Sequence, residues 1–164
     1  MNTASTNRNL WLALVGLLVA ISAVAAYKLR PLLTPQPVLV AEPDTGCDIR
    51  VAGCSAHFPG GGVVTFEVEP KGIPVVTPLA LRASLSGLEA DAVEVDFAGV
   101  DMNMGYNRPA LSSLGPGRYE GKGMLPICVR DRMTWEARVL IHGPRGLLAA
   151  PFRFETSRSD SGGH

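Results

Sequence analysis

The chain carries no net charge, since 15 basic residues balance 15 acidic ones. That argues against a nucleic-acid partner, which would call for a basic surface. Histidine is scarce, three residues in 164. The patterns H-E-x-x-H, G-x-S-x-G, the P-loop and G-x-G-x-x-G are all missing. A Ser/His/Asp or Cys/His arrangement would have to use His57 or His142, and neither has a recognisable motif around it. These absences argue against an enzyme. Three cysteines are too few for a disulfide scaffold. No C-x-x-C-H occurs, so covalent c-type haem attachment is not indicated.

One long hydrophobic run is present. Leu10–Tyr27 holds no charged residue and matches the length of a bilayer-spanning helix. Trp11 and Tyr27 stand at its ends, where interfacial aromatics belong. Arg8 lies before it and Lys28 and Arg30 after it, so the basic flanks do not fix an orientation. The length favours a retained anchor. The alternative is a cleaved signal peptide with Leu10–Ile21 as its apolar region and Ala23-Val24-Ala25 as its cleavage pattern. Both readings export the remainder of the chain. The expected organisation is a cytoplasmic stub over 1–9, the anchor over 10–27 and a proline-rich spacer over 28–40. A β-sandwich domain over 41–156 and a disordered polar tail over 157–164 complete it. The expected location is the inner membrane, single-pass, with the domain in the periplasm.

Frequent Gly (18) and Pro (13), with short alternating apolar runs between them, indicate an all-β domain. Val64, Phe66 and Val68 share one parity; so do Leu79, Leu81, Ala83 and Leu85, and then Val93, Val95 and Phe97. A period of two marks half-buried strands. After Phe97 the parity shifts to Val100, Met102, Met104 and Tyr106, as one extra residue near Gly99 would produce in a β-bulge. Tyr119–Val129, Met133–Ile141 and Leu148–Phe154 complete about seven strands, which predicts an immunoglobulin-like sandwich.

Read as a strand, Asp101-Met102-Asn103-Met104-Gly105-Tyr106 projects both methionines to one face, about 7 Å apart at Cβ. Thioether sulfur suits Cu(I) and takes no part in thiol–disulfide exchange. Met124, Cys128 and Met133 are the residues that would complete a soft site. The competing reading makes the methionines core filler. Cys47 and Cys54, each beside a glycine in an exported chain, are expected to form a disulfide. The alternative joins Cys47 to Cys54-Ser55-Ala56-His57 as a Cys/His metal site, a spacing that is not a zinc-finger pattern. Cys128 is then left as a buried inert thiol or a ligand.

Gly117-Arg118-Tyr119 with Trp135 later in the chain, behind an N-terminal anchor, resembles the FixH/YtkA-like family over roughly Val63 to Phe154. The resemblance implies a small exported or membrane-anchored β-sandwich, and its FixH branch implies a link to maturation of copper-containing cbb3-type oxidases. It carries over no ligand residue. The interval from Tyr119 to Trp135 is longer than the family pattern. The expected function is copper handling or assembly of a respiratory metalloenzyme, with an integral membrane protein or respiratory oxidase as partner. The alternative is a metal-free accessory module docking a membrane complex. An extracytoplasmic ligand-binding domain is a third reading.

Overall fold

A computed structural model describes residues 3–29, 39–126 and 131–157, with side chains in the first stretch at Trp11, Leu12 and Leu14–Ala25. The chain forms two compact units, Met1–Gln36 and Pro37–His164.

The first unit is one helix, α1 (Thr3–Leu29). Its apolar residues surround it rather than forming one stripe. Its large apolar side chains, from Trp11 to Val24, are solvent-exposed. Among the described residues no helix is long and apolar enough to cross a membrane.

The second unit is almost wholly β. Its strands are β1 (Leu39–Val40), β2 (Glu42–Pro43), β3 (Cys54–His57), β4 (Val63–Glu69), β5 (Leu79–Ser86), β6 (Ala92–Gly99), β7 (Ala110–Gly115), β8 (Arg118–Gly123), β9 (Arg132–Gly143) and β10 (Gly146–Ser157). They lie in the order β1-β10-β9-β6-β7-β8-β5-β4-β3-β2. Strand β7 joins the two halves. Ala110 and Leu111 pair with β6, and Ser112, Ser113 and Gly115 pair with β8 across a register shift. The sheet curls into a near-barrel. Its ten strands differ from the seven expected in that three short ones (β1, β2 and β3) precede Val63, β7 is additional, and the strand expected over Val100–Tyr106 is a loop. β1 also places the start of the domain at Leu39, inside the expected spacer. The spacer residues 30–38 and the tail residues 158–164 lie outside the described residues.

Strict alternation builds the core. Val64, Phe66 and Val68 of β4 are fully buried, as are Val95 and Phe97 of β6 and Trp135, Ala137 and Val139 of β9. Phe66 meets Phe152 of β10 across the interior, ring centroids 5.6 Å apart and tilted, a favoured aromatic geometry. The indole N–H of Trp135 donates to Thr156 Oγ1 at 3.0 Å, satisfying a polar group with no access to water. Gly117 of the family-like motif has φ +68, and a Cβ there would stand 2.5 Å from the Leu85 carbonyl oxygen. Tyr119 donates its hydroxyl to Ala90 O at 3.3 Å.

Pro151 explains the shortness of β1. The strand pairs in parallel with β10, Leu39 opposite Leu148 and Val40 opposite Ala149. Ala41 continues the ladder by donating to Ala149 O at 2.8 Å. The next parallel bond would need the N–H of residue 151, and proline has none. The chain leaves β10 there and crosses to the other edge, where Glu42 and Pro43 pair with His57 and Ala56 of β3.

The segment between β2 and β3 is stapled by the Cys47–Cys54 disulfide, whose Cα atoms are 5.7 Å apart. The expected pairing is therefore present, and it excludes these two thiols as metal ligands. Asp48 accepts from Arg50 at 2.7 Å, and that guanidinium, through its hydrogen bond, holds the Asp48 carboxyl below its ordinary 3.8. Arg108 reaches the buried Asp96 at 3.4 Å, where Arg138 also binds at 3.0 Å.

A candidate methionine site at one end of the barrel

Strand β6 stops at Gly99. One further bond, Val100 N–H to Thr134 O at 3.0 Å, carries the chain past β9 before it turns away. The expected strand through Val100–Tyr106 does not form, and no register shift occurs at Gly99. The segment is a loop. Asn103 Oδ1 accepts from Gly105 N–H at 2.8 Å, an Asx turn, and Gly105 takes φ +81. The return is strand-like: Phe97 N–H donates to Asn107 O at 2.9 Å and Val95 N–H to Pro109 O at 3.0 Å.

The loop keeps an alternation of exposure without a ladder. Asp101 and Asn103 are exposed, while Met102 and Met104 are half-buried and packed against the core. Gly99 makes room for them. A Cβ on Gly99 would stand 2.3 Å from Met133 Cε, 3.1 Å from Met104 Cγ and 2.5 Å from the Met102 carbonyl oxygen. The side chains of Met104, from the loop, and Met133, from the start of β9, therefore meet around one glycine, with the backbone of Met102 beside them. Met133 is buried. The loop lines an open pocket of about 360 Å³ formed by residues 98–105.

The remaining expected ligands fare differently. Met124 is half-exposed, and its carbonyl accepts from Asn107 Nδ2 at 2.9 Å, which places its backbone beside the returning chain. Cys128 lies outside the described residues. His57 is exposed on β3, and His142 meets Glu94 Oε2 at 3.1 Å. Among the described residues no group of three or more His, Cys, Asp or Glu side chains could hold a metal ion. The Cys/His alternative around Cys54 and His57 thus has no geometric support, and the soft donors present are thioethers.

The parity shift marked Gly99 as the place of a bulge, whereas the structure makes it the glycine against which Met104 and Met133 pack. Sequence reasoning overlooked Asn107, whose side chain ties the loop to the strand segment at Met124.

No family model, curated protein or solved structure matches this chain.

Proposed function

We propose that the protein is a membrane-anchored extracytoplasmic β domain that holds Cu(I) transiently on methionine thioethers, in the service of copper handling or assembly of a respiratory metalloenzyme. The observation that carries this reading is the meeting of the Met104 and Met133 side chains at Gly99, beside the backbone of Met102. Thioethers are ligands for soft Cu(I) and poor ligands for hard cations. An open pocket beside half-exposed Met102 and Met104 gives an ion, or a partner's donor group, a way in. The anchor is supported by the uncharged run Leu10–Tyr27 within a 27-residue helix. At 1.5 Å per residue such a helix exceeds the roughly 30 Å hydrocarbon core. An oxidising compartment is supported by the disulfide, and the FixH/YtkA resemblance points the same way.

Anaerobic Cu(I) titration of residues 37–164 against a calibrated chelator tests the reading. One equivalent retained against the chelator, and lost when Met102 and Met104 are both leucine, is the expected result. Equal copper affinity in that double variant would remove the site.

A second reading, a metal-free module docking a membrane protein, is favoured by the apolar surface at the same loop. Tyr106 is 80% exposed, and Val100 and Met124 are half-exposed. Methionine-rich surfaces adapt to partners. Co-purification of one stoichiometric membrane partner from preparations without metal would favour it over copper binding.

A further inference from the structure

Residues 101–106 are pinned at both ends. At one end Val100 N–H donates to Thr134 O at 3.0 Å. At the other, Asn107 O accepts from Phe97 N–H at 2.9 Å, and Asn107 Nδ2 donates to Met124 O at 2.9 Å. The bond from Gly105 N–H to Asn103 Oδ1 is internal to the loop and ties it to nothing else. Met102 and Met104 pack against the core and also line the open pocket of about 360 Å³. They stand half-buried between apolar interior and solvent.

Met133 lies deeper, at 3% exposure. Its Cε shares the space over Gly99 with Met104 Cγ, since a Cβ there would lie 2.3 Å from one and 3.1 Å from the other. Phe97 and Trp135, its neighbours in the core, are fully buried. Met124 is half-exposed and provides an internal reference.

A peroxide oxidises a thioether without a metal. The sulfur lone pair attacks one peroxide oxygen, and the S–O bond forms as the O–O bond breaks. The proton on the attacked oxygen passes to the departing one, which leaves as water or an alcohol. Sulfur loses two electrons and the peroxide gains them. The product is a polar, chiral sulfoxide. Its oxygen is costly against an apolar wall unless it finds a donor. On an exposed methionine it simply points into water. On Met102 or Met104 it reaches water when the side chain leaves the core, and the loop moves with it.

We propose that Met102 and Met104 are a modification site for peroxide-class oxidants. Sulfoxide formation there lifts loop 101–106 off the core and makes Met133 accessible. The opening is local, because the bonds at Val100 and Asn107 involve no sulfur. It needs no metal and does not rest on the copper reading.

The test exposes the full chain, stripped of metal by chelator in peroxide-free detergent, to excess hydrogen peroxide. Each methionine is followed by peptide mass spectrometry. Met124 should oxidise first, Met102 and Met104 within about tenfold of it, and Met133 only after a lag that tracks them. Met102→Leu with Met104→Leu nearly conserves volume and leaves the loop nothing to oxidise. Met133 oxidation should then slow by about tenfold or more. Met124→Leu should leave the lag unchanged. So should Cys128→Ser, which removes the thiol that the disulfide leaves over. Amide exchange over residues 100–106 of the unaltered chain should quicken on oxidation and recover after methionine sulfoxide reductase. That readout stands if the double variant does not fold. Met133 oxidising from the outset as fast as Met102 and Met104 would overturn the proposal, as would an equal Met133 rate in the double variant or unchanged loop exchange after oxidation. Loss of the lag in Cys128→Ser would overturn it too, because the trigger would then be the thiol.

Discussion

Two irregular segments flank the barrel, and they are ordered by opposite means. Residues 44–53 are closed by chain chemistry: the Cys47–Cys54 bond, backbone bonds from Val51 and Ala52 to Asp48 O, and the Asp48–Arg50 pair. Their one deep anchor is Ile49, 1% exposed. Residues 100–106 have no covalent closure. They hold one Asx turn and depend on the Met104 side chain and the Met102 carbonyl occupying the space that Gly99 leaves. A covalently closed loop tolerates polar, exposed side chains. A loop held by packing is sensitive to the volume and chemistry of a few atoms, which suits a site meant to respond to a ligand.

Breaking each device in turn sharpens the contrast. The largest effect is expected from Cys47→Ser with Cys54→Ser. Opening so short a loop costs about 2–3 kcal/mol in the chain-entropy account, read as a lower denaturant midpoint. It should leave Cu(I) affinity unchanged. Gly99→Ala should cost about 1–3 kcal/mol, because the methyl group cannot fit without displacing Met133 and the Met102 carbonyl. It should also weaken Cu(I) retention, so thermal melting and chelator competition would move together. Met102→Leu with Met104→Leu should cost less, under about 1.5 kcal/mol per site, since the swap nearly conserves volume. Here copper affinity should fall far more than the melting temperature does.

The smallest effect belongs to Asp48. Its pKa is lowered by Arg50 in the folded chain. The pair therefore contributes fully above the unfolded value of 3.8 and is lost as pH falls through the depressed folded value. The pair is partly exposed, so under about 1 kcal/mol is at stake. Urea melts at pH 7 and pH 3 should differ less in Asp48→Asn than in the parent.

Much of the barrel was legible because its long strands bury every second residue, as in Val63–Glu69 and Arg132–Gly143. The disulfide was legible from two cysteines beside glycines in an exported chain. β1 and β2 were not, since their pairing depends on Pro151 far along the sequence breaking a ladder. β7 was missed because only Leu111 among its residues is buried, and a strand that changes partners midway shows no single face. The methionine loop misled in an instructive way. Asp101–Met104 alternates in exposure like a strand because the loop lies on the core, while Gly105 at φ +81 keeps the chain from extending. The periodicity was real and reported burial, not hydrogen bonding. The convergence with Met133 needed the third dimension, because that residue arrives from β9.

Trp135 is fully buried and sits opposite Gly99 in the β6–β9 register. The chain's other tryptophan, Trp11, belongs to the helix. Residues 37–164 thus possess a single indole chromophore, placed next to the glycine around which the methionines gather. Its emission wavelength and lifetime offer a label-free optical gauge of that end of the barrel, responding to loosening by Gly99→Ala and to an ion seated on the sulfurs.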